Sequence, residues 1–425
     1  MEKIAILGGC RTPFAKYHTN FKDLTAVDLS VPAVNGLMKR VPVPIEQIDE
    51  MIWGSVYPSP GIYNLAREIA LKALSPRIAG VTVSQACLSS AWAVTAAFDA
   101  LQTSPEKIII AGGSESLSNM PIYFPDRLVK RLYTQTYATS KFRRLLASLR
   151  WYPEDYVPKI PRLVEPSTGL TMGQYGERIA GIFKISREEQ DQWALRSHLR
   201  AGGAAESPDI EPVEVGTKKK AWIVTDNCIV GDTTQEKLAA LAPAFDPVGT
   251  VTAGNSSKPA DGACAVMLTS ERNARRLGLE PSCYIKAYSY ASLPLDDEML
   301  LAPALAIPAL CLKAGISLKD INVIEMHEAF AAQVLATFKA MNSKEFMDRH
   351  SQLFVGPADV EMECVNTWGG SLAYGHPFGA TGARLIIQAM RRITRLGGGG
   401  LGLVASCSAG GLGMAMLLEG PVRKD

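Results

Sequence analysis

Leu29-Ser-Val-Pro32 through Ile48-Asp-Glu-Met-Ile52 returns later in the chain as Leu305-Ala-Ile-Pro308 through Ile321-Asn-Val-Ile-Glu325. Each copy reads as a helix with an internal proline, a short loop, an acidic turn and a buried strand. Proline, isoleucine and acidic positions recur together, which indicates two related α/β halves rather than two unrelated βαβ units. Outward from the first copy, β-like runs alternate with helix-length amphipathic segments: Ile4 to Leu7, Ala26 to Lys39, Met51 to Trp53, Ala66 to Leu74, Val81 to Val83, Ala91 to Leu101 and Ile108 to Ile110. The same order resumes after Tyr284. This alternation predicts an α/β chain with a covered sheet.

Between the halves, Asn119 to Ala244 becomes rich in proline, arginine, lysine and tyrosine, with weak periodicity. It reads as an insertion that supplies binding surface rather than core. Residues 127–150 hold seven basic side chains and no acidic one: Arg127, Lys130, Arg131, Lys141, Arg143, Arg144 and Arg150. Leu128, Leu132, Phe142, Leu145, Leu146 and Leu149 are interleaved with them. A solvated helical face, a partner-subunit surface and an anionic-membrane contact all fit such a run.

With 425 residues, 47% hydrophobic and 20% charged, the chain can bury a large core and is long enough for two or three domains. Forty-four basic against forty-two acidic side chains leave a formal charge of +2. That balance gives no global pull toward nucleic acid, and no nucleic-acid partner is expected. The opening apolar run passes directly into Cys10-Arg11-Thr12-Pro13, without the long apolar core of a secretory signal. No apolar stretch reaches the roughly 18 residues of a membrane-spanning helix, so a cytoplasmic protein is expected. Eight cysteines are scattered without a C-x-x-C pair, which predicts neither a disulfide framework nor a metal site.

Three motifs carry chemistry. In Val83-Ser-Gln-Ala-Cys87-Leu-Ser-Ser-Ala-Trp92 a β-like run gives way to an alanine-rich helix, which places the Cys87 sulfur at a helix start where N–H groups and the dipole favour thiolate. Trp368-Gly-Gly-Ser-Leu-Ala-Tyr-Gly-His376-Pro-Phe-Gly-Ala-Thr-Gly-Ala-Arg384 is a glycine-rich loop with one histidine, suited to close ligand approach and to proton transfer near neutral pH. Leu401-Gly-Leu-Val-Ala-Ser-Cys407-Ser-Ala-Gly-Gly-Leu-Gly413 is a buried strand that ends in a cysteine and a tight glycine turn, with Ile108 to Ser114 as its counterpart in the first half. If the halves pack face to face, both strand ends converge on the helix start that carries Cys87.

With these three motifs in this order, the chain resembles the thiolase family over nearly its whole length. The resemblance implies a thiolase-like fold of two duplicated βαβαβαββ halves packed as a five-layered αβαβα core, with an inserted loop domain. The first half would comprise 1–118 with 245–272, the loop domain 119–244, and the second half 273–425. It further implies that Cys87 attacks a 3-ketoacyl-CoA and holds the acyl group as a thioester, that His376 is its base, and that Cys407 is the second acid/base. Coenzyme A would be a co-substrate, with no bound cofactor and no metal. Two thiols and an imidazole within a few pKa units of neutrality would pass protons in both directions.

A fourth motif, Ile324-Glu-Met-His327-Glu-Ala-Phe330, is read as sitting at the strand-to-helix junction equivalent to that of Cys87. Many thiolases have asparagine where this chain has His327, the residue that anchors the oxyanion-hole water. Histidine there, and Ser167 to Gly173, resemble the thiolase subunit of the trifunctional fatty-acid β-oxidation complex. By the same resemblance Ser257 touches the pantetheine arm, with Met172, Ala329 and Phe330 beside it. The stretch Asp226 to Asp232 offers no arginine for the CoA phosphates, which leaves Lys218-Lys219-Lys220 as a candidate or as a solvated loop. A homodimer core is implied, and a hydratase/dehydrogenase subunit or a membrane surface could meet residues 127–150. Two alternatives stay open: a biosynthetic acetoacetyl-CoA thiolase or condensing acyltransferase, and an assembly subunit. A ketoacyl synthase is disfavoured by Cys407 where that relative has a second histidine, and no G-x-G-x-x-G supports dinucleotide binding.

Overall fold

Thr25 opens the first duplicated helix with a capping box, its Oγ1 accepting the Asp28 N–H at 3.3 Å while the Asp28 carboxylate accepts the Thr25 N–H at 3.0 Å. In this computed structural model, which describes residues 2–57, 59, 61–149, 152–159, 161, 163–204, 207–350 and 360–422, that helix follows strand β1 (Ile4–Arg11) as α1 (Ala26–Arg40). Then come β2 (Glu50–Gly54), α2 (Leu65–Ala73), β3 (Ala79–Val83), α3 (Ser89–Thr103) and β4 (Ile108–Glu115). The insertion supplies α4 (Asp126–Tyr137), α5 (Lys141–Leu149), α6 (Met172–Ile182) and α7 (Arg187–Gly203) before β5 (Ala260–Ser270). The second half runs β6 (Cys283–Ser292), α8 (Pro303–Ala314), β7 (Val323–Met326), α9 (Ala331–Met341), α10 (Thr381–Arg395), β8 (Leu401–Ser408) and β9 (Leu412–Glu419). Pro32 lies inside α1 and Pro308 inside α8, so the repeat seen in sequence is a repeat in structure.

The first half pairs its strands in the order β3-β2-β4-β5-β1, and the second continues as β6-β9-β8-β7. Three residue pairs, Ile4↔Ile285, Ala5↔Tyr284 and Ile6↔Cys283, join them. Alternation along each strand then separates three apolar cores. Ile108 and Ile110 of β4 face α1 and α2, whereas Ile109 and Ala111 face a central core built from α3 and α10. Leu403 and Ala405 of β8 face a third core with α8 and α9, while Val404 joins the central one. The layers are therefore helices, sheet, helices, sheet, helices. Close approach of the two central helices depends on Gly382, where a Cβ would meet the Ala91 Cβ at 2.7 Å.

Three sequence readings change here. The insertion is not surface alone: Tyr175 and Ile179 of α6 and Trp193 and Ala194 of α7 are buried in the third core, because these helices cover the outer face of α9. The basic run is also partly compensated, since the buried Asp155 carboxylate, just past the run, pairs with both Arg127 and Arg131. Arg150 lies outside the described residues. Finally, β7 aligns with β2, so His327 is the counterpart of Gly54 and not of the Cys87 junction. The counterpart of β3 shrinks to one bridge, Ile324↔Val365. No described helix is long and apolar enough to cross a membrane.

Candidate active site

Cys87 sits between β3 and α3, immediately before Leu88, the N-cap residue of the helix. Ala86 adopts φ +46°, an unfavourable conformation for a residue with a Cβ, and turns the chain sharply. Two contacts hold the turn: Ser89 Oγ accepts the Gln85 N–H at 2.9 Å, and Ser408 Oγ at the end of β8 donates to the Gln85 carbonyl at 3.0 Å. The half-buried Cys87 Sγ is 3.1 Å from His376 Nε2.

The tautomer of His376 follows from its neighbours. Thr381 Oγ1 donates to the Pro377 carbonyl at 3.1 Å, so it accepts from His376 Nδ1–H at 2.6 Å and leaves the Nε2 lone pair facing the thiol. The second imidazole, His327, is fully buried with its ring centroid 4.2 Å from that of His376. Ser371 Oγ accepts from Arg384 at 3.1 Å and lies 2.8 Å from His327 Nδ1, to which it can donate its hydroxyl proton. His327 Nε2 is buried beside the reactive pair, with no hydrogen-bond partner among the described residues. Cys87 Sγ and ring nitrogens of His327 and His376 lie within 4.8 Å of one another, a three-ligand group that the sequence reading did not anticipate as a metal site.

Electrostatics depart from the near-neutral picture. Burial pushes the Cys87 thiol up to about 11, against N–H donation from Ala409, and pushes Cys407 up further. Burial, with the nearby Arg384 charge, lowers His376 to about 3 and drives His327 well below the ordinary imidazole range. Desolvation thus outweighs the helix dipole, and the resting site is a neutral thiol beside two neutral imidazoles.

Cys87, His376 and Cys407 line one cavity of about 450 Å³, together with Met172, Ser257, Ala329 and Phe330. The Phe330 ring packs edge-on against Phe245 at 6.0 Å, giving the cavity an apolar wall. No lysine or arginine is among the described residues lining it. Lys218 to Lys220 form the turn between two short strands away from the cavity, and Lys220 pairs with Glu214 at 2.9 Å. The 226–232 stretch has a structural role at its start: Asp226 accepts from Arg11 and from the Phe14 N–H, each at 2.7 Å.

Five supporting residues were not assigned from sequence. Thr381, Ser371 and Arg384 lie within the glycine-rich motif, but only the folded loop shows which atoms they orient. Glu328, one residue after His327, accepts from Trp193 Nε1, Ser197 Oγ, Asn366 Nδ2 and the Leu372 N–H at 2.7–3.1 Å. Glu115 accepts from the N–H groups of Val56, Tyr57 and Gly379 at 2.9–3.0 Å, clamping the His376 loop to the end of β2. An acidic residue directly after a buried apolar strand was the available signal for Glu115.

Comparison with known proteins finds two family models that together span nearly the whole chain. The family model "Thiolase, N-terminal domain" matches residues 4–272, and "Thiolase, C-terminal domain" matches 279–420. A "Probable 3-ketoacyl-CoA thiolase" of Caenorhabditis elegans is 41% identical, covering 99% of this chain and 94% of that protein. The "Trifunctional enzyme subunit beta, mitochondrial" of Bos taurus is 39% identical, covering 99% and 88%. The crystal structure of a Bacillus anthracis acetyl-CoA acetyltransferase is similar at TM-score 0.83 and 31% identity, covering 99% of each chain.

Proposed function

The chain belongs to the thiolase family and is an acyltransferase, and on that premise we propose that it is a 3-ketoacyl-CoA thiolase of fatty-acid β-oxidation that uses coenzyme A as co-substrate. The observation that carries the reading is the 3.1 Å contact from the His376 Nε2 lone pair to Cys87 Sγ, in an apolar cavity that Cys407 also lines.

In the forward direction, Cys87 Sγ attacks the 3-keto carbon while His376 Nε2 takes its proton. With both groups neutral at rest, proton transfer accompanies attack rather than preceding it. Oxygen charge that develops in the cavity would be met through a water anchored by Nε2–H of His327, which is buried beside His376 rather than on the cavity lining, with Ser371 Oγ donating to its Nδ1. The C2–C3 bond then breaks, its electron pair passing to the acetyl-CoA enolate. Cys407, kept as a thiol by burial, protonates C2 and releases acetyl-CoA. An incoming CoA thiol gives its proton to the Cys407 thiolate and attacks the acyl carbon, and His376 returns its proton to the departing Cys87 sulfur. Ser257, Met172, Ala329 and Phe330 form the wall along which the pantetheine arm and acyl chain would lie.

Cys87→Ala is expected to abolish turnover and leave no acyl-enzyme detectable by mass spectrometry; full activity in that variant overturns the assignment. Similarity to an acetyl-CoA acetyltransferase fold keeps the biosynthetic alternative in view. Rates with acetoacetyl-CoA and a long-chain 3-ketoacyl-CoA separate the two, and strict preference for the four-carbon substrate favours the alternative.

A second role is read from the α4–α5 pair. Phe142 and Leu149 are each 68% exposed, with Leu145 also outward, beside Lys130, Lys141 and Arg143, which pair with no described carboxylate. Apolar side chains flanked by cations suit peripheral contact with an anionic membrane. Reversing Lys130, Lys141, Arg143 and Arg144 to glutamate should weaken co-sedimentation with phosphatidylserine vesicles more than tenfold at unchanged turnover; unchanged co-sedimentation removes the role. The same reading includes a homodimer, a hydratase/dehydrogenase partner subunit and a cytoplasmic setting. The name of the bovine relative, a trifunctional enzyme subunit beta, supports the partner subunit, and eight cysteines that are all free thiols support a reducing compartment.

A further inference from the structure

Acyl transfer needs Cys87, His327 and His376 as a nucleophile, a hydrogen-bond donor and a base. The same three side chains satisfy a different chemistry. Each imidazole is anchored through Nδ1, His376 on Thr381 and His327 on Ser371; His376 turns Nε2 to the thiol at 3.1 Å, and a ring nitrogen of His327 lies within 4.8 Å of the other two ligand atoms. Histidines that ligate a metal are commonly fixed in this way through the other ring nitrogen. Ser371 Oγ serves either tautomer of His327, donating to Nδ1 when Nε2 carries the proton and accepting from Nδ1–H when it does not. His327 Nε2 is fully buried and has no partner among the described residues.

We propose that Cys87, His327 and His376 also form a three-ligand trap for a soft divalent cation such as zinc, and that occupying it blocks acyl loading. A tetrahedral zinc ion with bonds of about 2.3 Å to sulfur and about 2.0 Å to nitrogen requires ligand separations of roughly 3.3–3.6 Å. The three atoms already lie within 4.8 Å, and the sulfur-to-His376 separation is 3.1 Å, so side-chain shifts of about 1 Å complete the triangle. The fourth position faces the cavity and takes water. Binding replaces the Cys87 S–H bond with a zinc–thiolate bond and releases one proton to solvent, with no change in oxidation state. A Cys87 thioester has no thiolate to offer, so the acylated enzyme should escape the cation. The blocking of turnover rests on the acyl-transfer reading; the binding itself does not.

Cobalt(II) provides a readout independent of turnover, because thiolate ligation gives an intense near-ultraviolet charge-transfer band. One equivalent of Co²⁺ is expected to produce that band in the full-length protein, and Zn²⁺ to remove it by displacement. Zn²⁺ affinity, measured against a chromogenic chelator, should fall more than tenfold in Cys87→Ala, in His327→Phe and in the milder His327→Asn. Protein alkylated at Cys87 with iodoacetamide provides the same test without mutation. Absence of a stoichiometric charge-transfer band in the unmodified protein overturns the proposal. So does Zn²⁺ affinity that is unchanged on alkylation, or unchanged in folded His327→Asn as judged by its melting profile. If Co²⁺ binds as described while Cys87→Ala retains turnover, the trap stands and the acyl-transfer reading fails.

Discussion

The loop before α3 and the loop before α10 each deliver one reactive side chain to the same cavity, but by different means. Ahead of α3, a full strand leads through a short turn, and local backbone geometry aims Cys87, with Ala86 at φ +46°. Ahead of α10, the corresponding strand is a single bridge at Val365, and residues 366–380, with one short helix at Ser371–Tyr374, form a long loop held by buried carboxylates. Glu328 ties that loop to α7 through four donors, and Glu115 ties it to the first half. A short strand–helix junction has few conformations and fixes a side chain locally. A long loop needs buried polar clamps, at the cost of satisfying every donor.

The sharpest test of this comparison is whether the two loops act as a unit. Cys87→Ala and His376→Ala should each lower thiolysis by about 10³-fold or more, and the double variant should be little worse than either. Multiplying effects in steady-state assays would mean the two side chains work separately. Next in size is Glu328→Ala, which orphans Trp193 Nε1, Ser197 Oγ, Asn366 Nδ2 and the Leu372 N–H; a loss of about 3 kcal/mol in urea denaturation is expected. A loss below about 1 kcal/mol would show that the long loop holds itself.

Thiol chemistry sharpens the comparison from the other side. An acid whose pKa is raised to about 11 is protonated at neutral pH, and its thiolate fraction grows as pH rises. Alkylation of Cys87 by iodoacetamide in free enzyme should therefore accelerate about tenfold per pH unit between pH 7 and 9. A flat profile would indicate a thiolate–imidazolium pair already formed at rest. The smallest effect belongs to Ala86→Gly. Relief of the left-handed strain and the added freedom of glycine oppose each other, so stability should change by no more than about 1 kcal/mol. A large loss would mean that the Ala86 side chain, not the backbone turn, positions Cys87.

Local pattern explains why so much of the scaffold was legible. The repeat around Pro32 and Pro308 and the apolar run Ile108 to Ile110 are short-range signals, each set by neighbours within a few residues. Placement of His327 was misread because β3 has almost no counterpart in the second half, so counting junctions along the chain matched the wrong pair. The insertion was misread as surface because weak periodicity in a polar stretch does not reveal that α6 and α7 cover α9.

The sequence by itself determined the duplicated α/β halves and singled out Cys87, His376 and Cys407 as candidates, because strand–helix junctions and ordered glycine-rich motifs are written in contiguous residues. Tertiary structure alone decided that these groups rest uncharged, that Thr381 and Ser371 orient the two imidazoles, and that Glu115 and Glu328 clamp the longer loop. Apart from the five-residue His376–Thr381 contact, those outcomes depend on desolvation and on partners 38 to 264 residues apart in sequence, and neither is a property of any local stretch.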